Sequence, residues 1–239
     1  MKILIISMEV WRNDNNGGNV LTNIFDGFEA EYAQIYCSAG TPDNDICKNY
    51  FQMTDGMAIQ NILHRKQIGR KISLTDSGEA DGNSNKEDSV IRKVKKLGSF
   101  EIFRVAREVV WGLSDYQNDS VKAFVNAFDP DIIFAPCYGV TYMLSLTRYV
   151  AGMINKPVIS YISDDFYTLR QFSLSPVFWG NRFVIRHFVR KTWNYYSLIY
   201  TMTSAQRQAM SKLGRPIKIL KKSGNFAQLR PDYVVDFPI

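Results

Sequence analysis

Short runs of β-branched and aromatic residues alternate with longer segments of helical spacing along most of this chain. The first run, Lys2-Ile3-Leu4-Ile5-Ile6-Ser7, is too short for a helix and has no polar position inside it. That pattern predicts a strand buried on both faces. Behind a long loop, Val20, Ile24 and Phe28 recur at helical spacing, as do Leu21 and Phe25, with Gly17-Gly18 where strand gives way to helix. Ala33 to Cys37 is a second strand, ended by the turn-rich Ser38-Ala39-Gly40-Thr41-Pro42. Tyr50 to Met53 is a short third strand, followed by a helix from Met57 to about Ile68. Helical spacing returns over Val90 to Leu113 and over Val121 to Phe128, where Asp129-Pro130 stops it. Asp131 to Pro136 then forms a strand, Thr141 to Gly152 a helix and Lys156 to Ile162 a strand. A helix over Pro176 to Tyr196 leads into a strand from Ser197 to Met202. Thr203 or Ser204 caps a further helix that Gly214 stops, and Pro216 to Leu220 is one more strand. Strands alternating with helices predict an α/β fold: a Rossmann-like parallel sheet with helices on both faces and right-handed crossovers.

Two stretches escape the pattern. Ser73 to Ser89 holds one leucine, no aromatic residue, and many Asp, Glu, Gly, Asn and Ser. It cannot bury enough apolar area to offset its ordering entropy, so a mobile acidic loop is expected there. The last thirteen residues, 227–239, have neither period and are expected to be extended. The expected organisation is one domain over residues 1–226 and a tail over 227–239, or the start of a crossover to a second domain.

Composition narrows the function classes. With 239 residues, 46% hydrophobic and 13% aromatic, the chain can build a sizeable core. Its three cysteines, Cys37, Cys47 and Cys137, make no C-x-x-C, and two lie in or beside apolar strands, as in a reducing compartment. Glu9, Arg12 and Asp14 follow the first apolar run at once, so it is not a secretory leader. No window approaches the 18 apolar residues of a membrane span. A cytoplasmic location, peripheral at most to the inner face of a membrane, is expected. The two histidines, His64 and His187, stand apart without metal-ligand spacing, so neither a zinc site nor a Ser-His-Asp triad is expected. There is no G-x-G-x-x-G and no P-loop, and no metal or other cofactor is expected. The net charge of +6 is scattered over separate elements without a recognition motif, which argues against nucleic acid.

Candidate chemistry gathers at the carboxyl ends of predicted strands, where open α/β sheets bind ligands. Three places qualify: Gly17, Gly18 and Asn19; Tyr138 and Gly139; and Asp164 and Asp165. The glycine pair either lets helix-start amides approach an anionic or sugar ligand or serves the turn alone. The acid pair is either a site or a self-satisfied loop, since adjacent carboxylates are costly to bury unpartnered. Asp129-Pro130-Asp131 is a literal D-x-D, but it precedes its strand and is explained as a helix stop. The basic run Arg92 to Lys96 opposes the helix dipole at its own helix start and is either a solvated face or a surface contact. The segment from Pro176 carries Trp179 among many aromatics, with Arg182, Arg186 and Arg190 spaced by four. Such a helix either lies in a membrane interface or is a core helix with a wet basic edge.

The order of these pieces resembles the amino-terminal half of GT-B glycosyltransferases, closest to the large family 4. Four stretches carry the resemblance: the opening strand with Gly17-Gly18; Asp129-Pro130-Asp131-Ile132-Ile133-Phe134-Ala135; Pro157-Val158-Ile159-Ser160-Tyr161-Ile162-Ser163-Asp164-Asp165; and Ile199 to Ser204 leading to Gly224-Asn225. Asp165 falls on the family's Asp, and Asp164 stands where the family has His. The resemblance implies a hexosyltransferase-type enzyme moving a sugar from a nucleotide-sugar to a glycan or lipid-linked acceptor. It implies Gly17 and Gly18 near the sugar or phosphates, and Asp164 or Asp165 hydrogen-bonded to the sugar or the acceptor hydroxyl. The basic aromatic helix, with Trp179, Arg182, Arg186 and Arg190, would then face an anionic membrane. The family's second domain begins just past the position of Asn225, so this chain is expected to be an acceptor-side half, inactive without that domain. The alternative is a non-catalytic flavodoxin-like module for a protein partner or anionic surface.

Overall fold

The computed structural model describes residues 1–72, 100–211 and 214–219. Among the described residues eight strands form one sheet: β1 (Lys2–Ser7), β2 (Glu31–Tyr36), β3 (Asn49–Gln52), β4 (Arg70–Ile72), β5 (Ile132–Phe134), β6 (Val158–Ile162), β7 (Tyr196–Thr201) and β8 (Ile217–Ile219). Their spatial order is β4-β3-β2-β1-β5-β6-β7-β8. All neighbours are parallel except β3 and β4. Seven helices are described: α1 (Asn16–Phe25), α2 (Asp55–His64), α3 (Phe100–Leu113), α4 (Asp119–Phe128), α5 (Thr141–Ile154), α6 (Pro176–Trp193) and α7 (Ser204–Ser211). This is the expected α/β, Rossmann-like fold.

The alternation of side chains along β1 divides the core in two. Leu4 and Ile6 join Ala33 and Ile35 of β2, Trp111 of α3, Val125 of α4, Leu146 of α5, Val189 of α6 and Met210 of α7. Ile3 and Ile5 face the other way, onto Leu21 and Phe25 of α1, with Trp11, Tyr32, Tyr36 and Phe134. Winding explains the division. The chain moves outward from β1 to β2 and β3, then returns to the far side of β1 and moves outward again through β5, β6, β7 and β8. Right-handed crossovers in opposite directions put α1 on one face and α5, α6 and α7 on the other. The reversal between β1 and β5 is a topological switch point.

Several boundaries differ from the periodic reading, each for a local reason. Asn15 caps α1, its carboxamide oxygen accepting from Gly18 N at 2.5 Å; the helix ends at Phe25 and leaves Phe28 exposed beyond it. The helix expected to reach Ile68 stops at His64, because Arg65 turns into the left-handed region at φ 54°; Ile68 is buried from the following loop. The antiparallel edge strand β4 has no apolar run to announce it. The acidic loop at 73–89, the basic run Arg92 to Lys96 and the tail at 227–239 lie outside the described residues.

Gly18 is fixed by packing. A Cβ there would overlap the backbone carbonyl oxygen and amide nitrogen of Arg12, so α1 can lie against the preceding loop only without a side chain. Gly18→Ala is expected to destabilise the chain by about 1–3 kcal/mol or more, as overpacking against backbone does. Gly112→Ala, in α3 with nothing within 4 Å of the added Cβ, should stabilise by roughly 0.5–1 kcal/mol. Urea unfolding of the two variants checks both signs.

Candidate functional site

The three predicted loops leave the sheet at one edge. After β1, the backbone from Met8 to Trp11 has no strand neighbour, and a buried side chain replaces it. Gln34, in the middle of β2, donates from Nε2 to Ser7 Oγ at 2.7 Å and to the Glu9 carbonyl at 3.0 Å. Its Oε1 accepts from Trp11 N at 3.1 Å. Trp11 is fully buried and donates from Nε1 to Thr22 Oγ1 at 2.8 Å, fastening the loop to α1. The loop therefore presents Glu9 outward beside the start of α1, where Gly17 N donates to Glu9 Oε2 at 3.1 Å. A carboxylate at that helix end is favoured by the dipole by about 0.3–1 kcal/mol.

After β5, Tyr138 and Gly139 cross the switch point. Tyr138 is half-buried and packs, like Met8, against the larger core cluster; burial pushes its pKa well up, and the nearby Met8 backbone holds back that rise. Gly139 permits a close approach: a Cβ there would lie 3.1 Å from Cβ of Phe166, which follows β6. The next element, α5, has no side chain capping it from Val140. Glu108 of α3 supplies the cap, accepting from Thr141 N at 2.9 and 3.0 Å and from the Thr141 hydroxyl. Burial raises the Glu108 pKa, and the hydrogen bonds from Thr141 and the Tyr142 amide hold back that rise. Its neighbour Arg107 forms an ion pair with Asp55, with Nε 2.8 Å from Oδ1, and Trp111 Nε1 donates to the same oxygen at 2.6 Å. Arg107 also donates to the Cys37 carbonyl at 3.4 Å, tying α2 and α3 beneath the ends of β1 and β2.

After β6, Asp164 and Asp165 take different roles. Asp165 Oδ1 accepts from Thr168 N at 2.8 Å, its other oxygen accepts from the Thr168 hydroxyl, and Arg182 Nη2 stands 3.8 Å away. Asp165 thus closes its own loop. Asp164 is exposed, with Ser163 Oγ donating to it at 3.3 Å.

The three arginines of α6 all bond to the loop after β6. Arg182 is only 6% exposed and donates to the carbonyls of Asp165 at 2.6 Å and Thr168 at 2.8 and 3.1 Å. Arg186 donates to the Tyr167 carbonyl and stacks 4.4 Å over the Tyr167 ring. Arg190 Nε donates to the Tyr167 hydroxyl at 3.2 Å. Spacing by four aligns them along one loop, whose unpaired carbonyls need donors. Trp179 is half-buried and donates to the Ser173 carbonyl at 2.7 Å.

The rim is therefore continuous. Asp164 leads through Asp165 to Phe166, which lies against Gly139; Tyr138 and Met8 pack on the same core cluster; and Glu9 meets Gly17. Gly17, Gly18, Tyr138, Gly139, Asp164 and Asp165 belong to this one edge, with Asn19 exposed on α1. An open cleft of about 660 Å³ adjoins it over the ends of β1 and β2, lined by Glu9, Arg12, Asp14, Asn15, Asn16 and Ser38 among others. Arg12 is held in a fork on Asp14, at 2.7 and 2.6 Å, which lowers the Asp14 pKa and raises that of Arg12. The cleft therefore offers acids, carboxamides and a hydroxyl beside an already paired cation. Sequence reasoning passed over Glu9 and Glu108, which stand alone in their segments with no motif around them. Among the described residues no group of three His, Cys, Asp or Glu is placed to share a metal ion. The three cysteines are buried, and burial pushes the pKa of Cys47 and Cys137 up to about 12, which keeps both as unreactive thiols.

No family model matches the chain, and no curated protein matches it. Among solved structures, it is similar to Phytolacca americana UGT2 complexed with UDP-2fluoro-glucose and pterostilbene, at 9% identity and a TM-score of 0.48. The match covers 95% of this chain and 55% of that one, so the chain spans about half the length of that structure.

The Glu108 cap has a pH signature. Its folded pKa lies above the ordinary value of 4.5, so the folded state binds the extra proton and stability falls as pH rises from there through the folded value. Glu108→Gln keeps an acceptor for Thr141 and removes the titration. Urea unfolding from pH 4 to 7 should show wild type losing stability relative to this variant across that window; a constant difference would mean the cap is not the titrating group.

Proposed function

We propose that this chain is the acceptor-side half of a GT-B glycosyltransferase that moves a sugar from a nucleotide-sugar to a glycan or lipid-linked acceptor at a membrane surface. The observation that carries the reading is the single rim joining Glu9 and Gly17, Tyr138 and Gly139, and Asp164 across the switch point. The chemistry of the adjoining cleft supports it. Paired acids and carboxamides exchange hydrogen bonds readily with the hydroxyls of a sugar, whereas a phosphate would need unpaired cations. The acceptor lies over this cleft, lined on its α1 side by Asn15 and Asn16, with Gly17, Gly18 and Asn19 following along the helix. Asp164 receives the hydrogen bond from the reacting sugar or acceptor hydroxyl. Asp165 acts at one remove, holding the loop in place through Thr168 and Arg182. The nucleotide-sugar is held mainly by a second domain facing the rim, and charge building on its diphosphate is met from that side. The family 4 affinity, the hexosyl donor, the cytoplasmic setting and the dependence on a second domain belong to this proposal.

A second reading, a non-catalytic binding module, draws on one observation. The helix-start amides nearest the rim are already engaged: Gly17 by Glu9, Gly18 by Asn15 and Thr141 by Glu108. Such a module would bind neither nucleotide-sugars nor glycans.

Turnover by the full natural polypeptide, with a panel of nucleotide-sugars and a membrane fraction as acceptor, separates the two. Asp164→Asn should lower turnover by about 10²–10⁴ with unfolding unchanged, as loss of a positioned base does. Asp165→Asn should instead cost about 1–3 kcal/mol of stability through its orphaned loop donors. Equal turnover in wild type and Asp164→Asn would remove Asp164 from the site, and absence of any turnover or glycan binding would favour the second reading.

A further inference from the structure

The outward side of α6 and the loop before it form a surface that the rim does not use. Arg182, Ile185, Val189 and Trp193 turn inward. Pro176, Val177, Gly180, Phe183, Val184, His187 and Lys191 fall on the opposite stripe and are exposed. Ahead of the helix, Phe172 and Leu174 are 86% and 87% exposed, almost as open as in an extended chain. They flank Ser173, whose carbonyl is held by the Trp179 indole, so the loop is fastened to the helix with both apolar side chains outside. Leu169 is exposed beside them. Apolar side chains this open cost solvation free energy unless something covers them.

Charge identifies what covers them. From Phe166 to Pro231 the chain contains no Asp or Glu and twelve Lys or Arg. Arg170 lies in the loop with Phe172, and Arg190 and Lys191 stand at the far end of the exposed stripe. An apolar front end and a basic back end, with no acid between them, match an anionic lipid bilayer: its acyl boundary takes the apolar residues and its headgroups take the cations. No described helix is long and apolar enough to cross a membrane, so the contact is one of lying on the surface.

We propose that Leu169, Phe172, Leu174, Val177, Phe183 and Val184 insert into the headgroup boundary of an anionic membrane, with Arg170 and Lys191 drawing the surface to it. The contact made by the helix is thus its apolar outer stripe together with the preceding loop, while Arg182 and Arg186 hold that loop from the inner side. This deepens the glycosyltransferase reading, since it brings a lipid-linked acceptor beside Asp164. Vesicle binding is measured without turnover, so failure of either idea leaves the other standing.

The test is flotation of the 239-residue chain with phosphatidylcholine vesicles and with vesicles containing phosphatidylglycerol, at low and high salt. Binding is expected on the anionic vesicles, weakening as salt rises. The double variant Phe172→Ser/Leu174→Ser changes only exposed residues and should bind about tenfold more weakly or worse. Arg170→Gln and Lys191→Gln should each lose roughly fivefold on anionic vesicles. Trp11, Trp111 and Trp193 are fully buried, so Trp179 reports the contact and should be quenched by brominated lipids. Absence of binding to phosphatidylglycerol vesicles at low salt, equal binding by the double variant, or an unquenched Trp179 would each overturn the proposal and leave a protein partner as the occupant of this face.

Discussion

Each strand of a parallel sheet ends by releasing backbone groups that have no further ladder partner. In this protein those groups are satisfied by side chains from elsewhere in the chain, and the candidate site is built from that necessity. Gln34 serves the loop after β1. Glu108 serves the start of α5 after β5. Arg182 serves the loop after β6. Gln34 and Arg182 are buried and Glu108 is half-buried, and away from water an unmade hydrogen bond is expensive. The loops they hold are therefore positioned by the fold and are not free to wander.

That arrangement divides each functional loop into a holding part and an offered part. Asp165 is turned inward on Thr168 and Arg182, while the adjacent Asp164 remains at the surface. Ser7 and the backbone of Glu9 are held by Gln34, while the Glu9 carboxylate lies at the helix end beside the cleft. Rigid support under an exposed polar group is what a binding site needs, since a preorganised donor or acceptor loses less freedom when a ligand arrives. The Arg12–Asp14 fork applies the same logic to charge: the guanidinium is neutralised in place, so the cleft is polar without being a strong anion trap.

α6 shows how one helix can serve two neighbours. A period of four set Arg182, Arg186 and Arg190 in line, and a ladder of cations looks at first like a surface device. The loop from Asp165 to Thr168 supplies a matching ladder of carbonyls, together with the Tyr167 ring and hydroxyl. With the cations engaged there, the opposite stripe, carrying Val177, Phe183 and Val184, is left outside. The helix is amphipathic in a sense its sequence does not announce: its most apolar exposed residues and its buried arginine lie on different sides.

The sequence by itself determined the alternation of strands and helices, the α/β class, and the fact that Gly17-Gly18, Tyr138-Gly139 and Asp164-Asp165 all follow strands. Those features depend on local period and turn chemistry, which neighbours in the chain decide. Only the tertiary structure decided that Gly18 is needed for contact with Arg12, that Glu9 and Glu108 cap helices, and that Asp165 and Asp164 have separate tasks. Glu108 and Thr141 are 33 residues apart, and Gln34 and Ser7 are 27 apart. No local pattern records such a partner, because a polar side chain is directed by the unpaired backbone it meets after the sheet has formed.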